Sequence, residues 1–462
     1  MFQVFGVFQK REVCRSVSLQ IRKTAFIQHA ELLRSLQPED FKRASQEEVD
    51  GVPFSNNGVQ ALRQHLRAVR SKITGTDESR LSMRSKVWST IVEFNPPSLW
   101  ITINPSDQDP IAQVIAGNNI DLDKFIATAG PESEERARSI ASDPFASAKF
   151  FHFMINTLLD VVFGIRKTRF GIVRRPGAFG TVQAYIGTVE AQGRGTLHLH
   201  MLLWLKDAPP ASVMQAALKD ERFRSRVTDY IGSTIRADID NKDTNAVLQL
   251  RKRPAVSYCR PIDPVLHEED SIAEEKVLAR SVQFHKCNTA TCLRIVNGRF
   301  ECKRRAPFAL SPTDWINEDG EWGPKRTCPN LNSWNSWLMR SVRANHDVKL
   351  IMNGAETCVL VLYNTNYTFK KQNRSSNASA LLADRLAYHQ DQTETDDIQM
   401  YNKRLVQRCA TALFSQREFS GPEIVSYLMS WGDRFESHVY VPIYLDGAVW
   451  TLKTTFPILT ER

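Results

Sequence analysis

The stretch 190–204, EAQGRGTLHLHMLLW, limits what this chain can become more than any other part of it. His198 and His200 stand one residue apart among Leu197, Leu199, Met201, Leu202, Leu203 and Trp204, the composition of a buried strand. Side chains alternate along a strand, so both histidines share one face. Two imidazoles held side by side on a sheet can bind one divalent cation. Residues 185–192 read as a second strand, and Gly193, Arg194 and Gly195 as the hairpin connection between the two. Glu190 and Gln192 share a face of that second strand, so either could offer the cation an oxygen. The same spacing also suits solvent-facing histidines or hydrogen-bonded core histidines.

A second constellation lies in VLVLYNTNYTFKKQN, 359–373. Tyr363 and Tyr367 are four residues apart, which on a helix stacks both phenols on one face, with Lys370 and Lys371 about a turn further on. A tyrosine that attacks a phosphodiester needs a metal to polarise the phosphate and a cation nearby to steady developing charge. Together the two constellations supply the parts of a DNA strand-transferase.

In these residues the chain resembles the N-terminal replication-initiator region of Helitron rolling-circle transposases, the fungal type in particular. The resemblance rests on 99–107 (LWITINPSD), on Ser142, Asp143, Pro144 and Phe145, on 190–195 leading into His198-Leu199-His200, and on 363–370; it runs from about residue 1 to about 445. It implies an α+β fold: an HUH-endonuclease-like antiparallel sheet with flanking helices, the histidines on a central strand and the tyrosines on a helix. The implied domains are a helical auxiliary region over 1–95, a nuclease domain over 96–390 with a zinc-binding insertion at about 280–305, and a helical extension over 391–462. Full-length relatives carry a helicase after the nuclease region. The chain contains no GxxxxGK[ST] loop, so an ATP-driven partner would come from a longer relative.

The net charge of +9 is clustered. Arg166, Lys167, Arg169, Arg174 and Arg175 fall within ten residues that hold no acid, and 251–253 and 303–305 are further basic triplets. Such runs attract phosphate backbones; with Arg194 in the hairpin, the first is expected to contact DNA. The alternative is a solvated basic face. No apolar run approaches the roughly 18–20 residues that span a bilayer. Five Lys or Arg against one Glu in the first thirty residues superficially suit a transit peptide, but the resemblance covers that segment, so it is read as folded, and the nucleus is the expected location. Eight cysteines in 462 residues do not make a disulfide framework.

His285, Cys287, Cys292 and Cys302, spaced H-x-C-x4-C-x9-C, can satisfy a closed tetrahedral Zn²⁺ site of the structural kind, and the resemblance includes a similar insertion before the tyrosines. His346 is read as a hydrogen-bonding residue, with metal ligation as its alternative. Apolar spacing predicts helices at 26–36, 59–69, 146–163, 210–219, 222–237, 379–390 and 399–414, and a further segment at 421–430. Strands are predicted at 99–103, 169–174, 182–190 and 196–205, and a mobile acidic linker at 390–397. Asn104 and Asp107, just past the first strand, could approach the histidines.

The leading reading is a single-stranded DNA endonuclease and strand-transferase. His198, His200 and Glu190 or Gln192 would hold Mg²⁺ or Mn²⁺, Tyr363 or Tyr367 would attack, and Lys370 would assist at transposon ends. Its rival is a catalytically idle, zinc-stabilised DNA-binding remnant.

Overall fold

A computed structural model describes residues 1–106, 133–191, 195–252, 262–290, 292–352, 377–393, 395, 397–441, 445–456 and 458. Its centre is a five-stranded antiparallel sheet. Along the chain its strands are β1 (Leu99–Ile103), β4 (Val182–Ala191), β5 (Leu197–Leu205), β10 (His346–Leu350) and β11 (Arg434–Glu436), in the spatial order β10-β1-β5-β4-β11. Three hairpins, β2–β3 (Ile165–Thr168 and Gly171–Arg174), β6–β7 (Leu293–Val296 and Arg299–Cys302) and β8–β9 (Trp315–Ile316 and Trp322–Gly323), stand apart from it.

The run of apolar residues at 197–205 puts β5 in the middle of the sheet, with both of its faces covered. One face sends Leu199, Met201 and Leu203 with Ile101 and Val348 against Phe151, Ile155 and Leu158 of the helix Pro144–Val161. That helix opens at Asp143, whose carboxylate accepts from the Ala146 N–H at 3.0 Å; such a cap contributes about 1 kcal/mol. The opposite face sends Trp100, Ile186, Leu202 and Trp204 against Met83 and Val87 of the helix Met83–Phe94. His198 and His200 have the parity of Leu202 and Trp204 and continue this second face beyond its apolar part.

The N-terminal helices close a separate core. Val17, Phe26, Phe41, Leu62 and Leu66 pack with Leu382 and Leu386 of the helix Ala378–Asp391 and with Leu405 and Val406 of the helix Ile398–Ser415. Residues on both sides of the expected division near 390 therefore share one core with the expected auxiliary region. The C-terminal segment is more than helical: β11 pairs with β4 through Phe435 and Gly187 and completes the sheet. A buried ion cluster fastens these parts. Arg80 donates to Glu423 at 3.1 Å and to Asp433 at 3.2 Å, and the Val189 N–H on β4 donates to the Asp433 carbonyl at 2.8 Å.

Three local expectations change. The strand expected at 169–174 is the second half of a hairpin, because Gly171, with φ of +138°, lets the chain reverse after Phe170. The helix expected to reach 237 stops at Thr234, since Arg236 exchanges both backbone hydrogen bonds with Trp334 at 2.8 Å. In the segment expected to be a mobile linker, Thr393 accepts a hydrogen bond from Arg408 at 2.7 Å, and Asp397 caps the following helix.

Candidate metal and nucleic-acid site

β4 and β5 pair so that Glu190 lies opposite His198 and Thr188 opposite His200. On the other side of β5, Thr102 lies opposite His200. The strands thus bring two imidazoles, a carboxylate, two threonines and, just beyond β1, Asn104 together at one end of one sheet face. Both histidines are buried. The His200 ring stacks on Trp100 with centroids 5.5 Å apart and planes 19° apart.

Hydrogen bonding orients each ring. His200 Nε2 donates to Glu190 Oε2 at 3.1 Å, and its Nδ1 lies 3.1 Å from the Thr102 hydroxyl. His198 Nδ1 meets Asn104 Oδ1, and its Nε2 lies 3.1 Å from the Thr196 hydroxyl. An amide oxygen can only accept, so the proton is on His198 Nδ1 and the lone pair on Nε2. Burial, aided by His200 and Arg304 and opposed by Glu190, pushes the His198 imidazole down to about 4. It is neutral at physiological pH, the form a metal needs.

Part of the set fits a divalent cation: among the described residues His200 and Glu190 stand at ligand spacing, whereas the ligand atoms of His198, His200 and Glu190 do not gather into one metal-sized cluster as those of the Cys/His group do. Adjacent ligands at about 2.1 Å around an octahedral ion stand about 3.0 Å apart. The His200–Glu190 separation of 3.1 Å allows that spacing once His200 carries its proton on Nδ1, towards the Thr102 hydroxyl, instead of on Nε2. The Thr188 hydroxyl, across from His200, is buried and has no hydrogen-bond partner among the described residues, an orphaned oxygen beside the candidate ligands.

Asn104 links this end of the sheet to the Cys/His insertion. Its Nδ2 donates to Asn345 Oδ1 at 3.0 Å, and its backbone N–H donates to the Asn345 carbonyl at 3.1 Å. Asn345 Nδ2 in turn donates to Gln283 Oε1 at 2.7 Å, two residues before His285. Sequence reasoning noted Asn104 and missed Thr102, Gln283 and Asn345. Parity was the available signal for Thr102, two residues after Trp100 on β1. His346 is fully buried; its Nε2 accepts from the Asn335 N–H at 3.0 Å, and its Nδ1 lies 3.1 Å from the Ala344 carbonyl. It is a hydrogen-bonding residue.

His285, Cys287, Cys292 and Cys302 do come together: their ligand atoms all lie within 4.8 Å of one another. His285 Nε2 stands 3.3, 3.6 and 3.2 Å from the sulfurs of Cys287, Cys292 and Cys302. Zinc with Zn–S of about 2.3 Å and Zn–N of about 2.0 Å in a tetrahedron sets N and S about 3.5 Å apart. Burial and its neighbouring thiols push the Cys287 thiol up. Burial also opposes ionisation of Cys302, but N–H donors at Ala306 and Arg304 together with hydrogen bonds from the Cys287 and Cys292 thiols outweigh it and lower that thiol. The donor set fits zinc.

The expected DNA-binding cluster lies elsewhere. Arg174 donates to the carbonyl of Gln183 at 3.0 and 2.9 Å, at the start of β4, whereas Glu190 is near its end. Seven residues of strand separate the two, about 23 Å. Asp160 partly neutralises Arg166 at 3.5 Å and Arg175 at 3.0 Å. Lys167 and Arg169 are exposed with Phe170 at the hairpin tip. Among the described residues, Arg304 is a cation whose charge lowers both His198 and His285. Gln192, Arg194, Asp107, Tyr363, Tyr367, Lys370 and Lys371 lie outside the described residues.

Residues 1–203 match the family model described as the Helitron helicase-like domain at N-terminus. That match takes in β1, β4 and both histidines, and these residues carry a Helitron helicase-like N-terminal domain. No curated protein matches the chain.

Proposed function

We propose that the chain is a metal-dependent single-stranded DNA endonuclease and strand-transferase of a rolling-circle, Helitron-type transposon, acting in the nucleus at transposon ends. One observation carries the reading. Two buried histidines share a sheet face with Glu190, which stands 3.1 Å from His200, and with a Thr188 hydroxyl that has no hydrogen-bond partner among the described residues, inside a Helitron helicase-like domain.

His198 through Nε2, His200 and Glu190, with Gln192 as a further candidate, would hold Mg²⁺ or Mn²⁺. Imidazole ligands favour Mn²⁺ over Mg²⁺, which prefers oxygen. A bound cation supplies Lewis-acid polarisation of the scissile phosphate. The phenol oxygen of Tyr363 or Tyr367 attacks phosphorus, and the bond to the 3′-oxygen breaks. That oxygen leaves and takes up a proton in place of the one the phenol gave up, giving a 5′-phosphotyrosine and a free 3′-hydroxyl. Lys370 steadies the phenolate or phosphate charge, and the second tyrosine allows a second transfer without release.

Chain length permits this. Met352, after β10, is eleven residues before Tyr363, a reach of up to about 36–40 Å. Leu203, level with the end of β10, is five residues along β5 from His198, about 17 Å. In this reading the exposed Lys167 and Arg169, with Arg166, Arg174 and Arg175, hold DNA further along the molecule, joined by Arg194. A labelled single-stranded oligonucleotide with Mn²⁺ tests the metal assignment. His198→Ala and His200→Ala are expected to abolish cleavage while the circular dichroism stays native; cleavage by the double variant at the parent rate would refute the assignment.

A further inference from the structure

Between the helix Glu268–Val282, the Cys/His cluster and the Asn345 relay lies a cavity of about 280 Å³. We infer that this cavity takes one nucleotide of the single-stranded DNA next to the scissile phosphate, an inference that rests on the nuclease reading above.

Its lining combines the three chemistries a nucleotide requires. Lys286 and Arg304 are exposed cations on it, suited to a phosphate. Phe284 and Phe308 give it aromatic surface; guanidinium groups of Arg280 and Arg326 lie over these rings at 4.9 and 4.7 Å and hold them in place. Aromatic side chains of this kind are the usual platform for an unpaired base. Asn332, whose Nδ2 donates to the His346 carbonyl, adds an amide oxygen able to meet a base edge. The volume, at the small end of the roughly 300–1,000 Å³ of ligand pockets, suits one nucleotide rather than a longer stretch.

Its place in the fold makes the nucleotide a neighbour of the cut. Asn345 lines the cavity and bonds Asn104, which bonds His198. Arg304 lines it too. A strand lying over the histidine end of the sheet has this cavity beside it, and the zinc-type cluster forms part of its wall through His285 and Cys292.

The test uses the full zinc-loaded chain and oligonucleotides carrying 5-iodouracil at successive positions, irradiated without added Mn²⁺ or Mg²⁺ so that binding is read apart from cleavage. One position is expected to cross-link to peptide 282–308, at Phe284 or Phe308. Removing the base at that position should weaken binding roughly fivefold or more. Lys286→Glu and Arg304→Glu, each checked for retained zinc, should each weaken binding and lower the salt slope by about one. DNA bound with cross-links only outside 282–308 and no response to charge reversal overturns the cavity assignment and leaves the single-strand reading standing. A folded chain that binds no single-stranded DNA overturns both.

Discussion

Asn104 presents its side-chain oxygen to His198 Nδ1 while its own amide group is spent on Asn345. The asparagine thereby fixes which imidazole nitrogen carries the proton and leaves Nε2 for a metal. Residues that orient a ligating histidine in this way typically contribute 10–100-fold to metal affinity or activity. Asn104→Ala is expected to raise the Mn²⁺ concentration needed for half-maximal cleavage by about that factor, with single-strand binding kept. An unchanged Mn²⁺ requirement would remove Asn104 from the site.

The Cys/His cluster should hold one zinc per chain and act on folding rather than chemistry. Cys292 and Cys302 pack with Ala306 in a small core of their own. Without the metal that core has little else to hold it. Cys292→Ser is expected to lose zinc by elemental analysis and to open 285–308 to limited proteolysis, while the sheet core stays protected. Zinc-free parent protein, purified without chelator and equally resistant to protease, would contradict this.

Strong local patterns made much of this legible. The 197–205 run and the helix Pro144–Val161 follow from apolar spacing and an Asp-Pro start. The Cys/His spacing singled out four residues whose ligand atoms the fold does bring within 4.8 Å of one another. What escaped depends on long-range pairing. Nothing near Arg434 says that three residues will become the sheet's edge strand, because the signal is their partner, Thr188 to Ile186. Nor does the basic run show where it lies: strand parity fixes a face, but only tertiary packing puts Arg174 on Gln183, at the other end of β4 from Glu190.

The cluster around Arg80 joins parts that the sequence keeps far apart. Arg80 is buried between Glu423 and Asp433, and Asp433 also accepts from the Tyr427 hydroxyl at 3.1 Å. Removing the guanidinium leaves Glu423 with Arg417 and Asp433 with Arg434 as remaining cations, so the loss stays below about 3–5 kcal/mol, the cost of a fully orphaned buried charge. Arg80→Met should lower the urea midpoint accordingly and, by loosening the β4 end at Val189 and Glu190, weaken Mn²⁺ binding as well. A midpoint within error of the parent would show the cluster to be dispensable.

Acid should destabilise the protein in a defined window. Burial pushes His346 down to about 4 and His152 down to about 4. In the unfolded chain both titrate near 6.5. Below about 6.5 the unfolded state binds protons that the folded state refuses, so stability is full above that pH and is lost as pH falls towards 4. For His346 the refusal is geometric: a proton on Nε2 would face the Asn335 N–H. Urea midpoints should be flat above about pH 7 and decline from 6.5 to 4. His346→Gln should make the decline shallower; an unaltered pH profile in that variant would count against the assignment.

The central claim is covalent chemistry at tyrosine, and intact-mass analysis of the reaction with a cleavable single-stranded oligonucleotide and Mn²⁺ tests it most directly. The parent should gain the mass of the 5′-phosphorylated product fragment, mapped by peptide sequencing to Tyr363 or Tyr367. Tyr363→Phe and Tyr367→Phe should show unequal losses, and the double variant should form no adduct while still binding DNA. Phosphate found on any other residue, or cleavage by the double variant at the parent rate, would contradict the account.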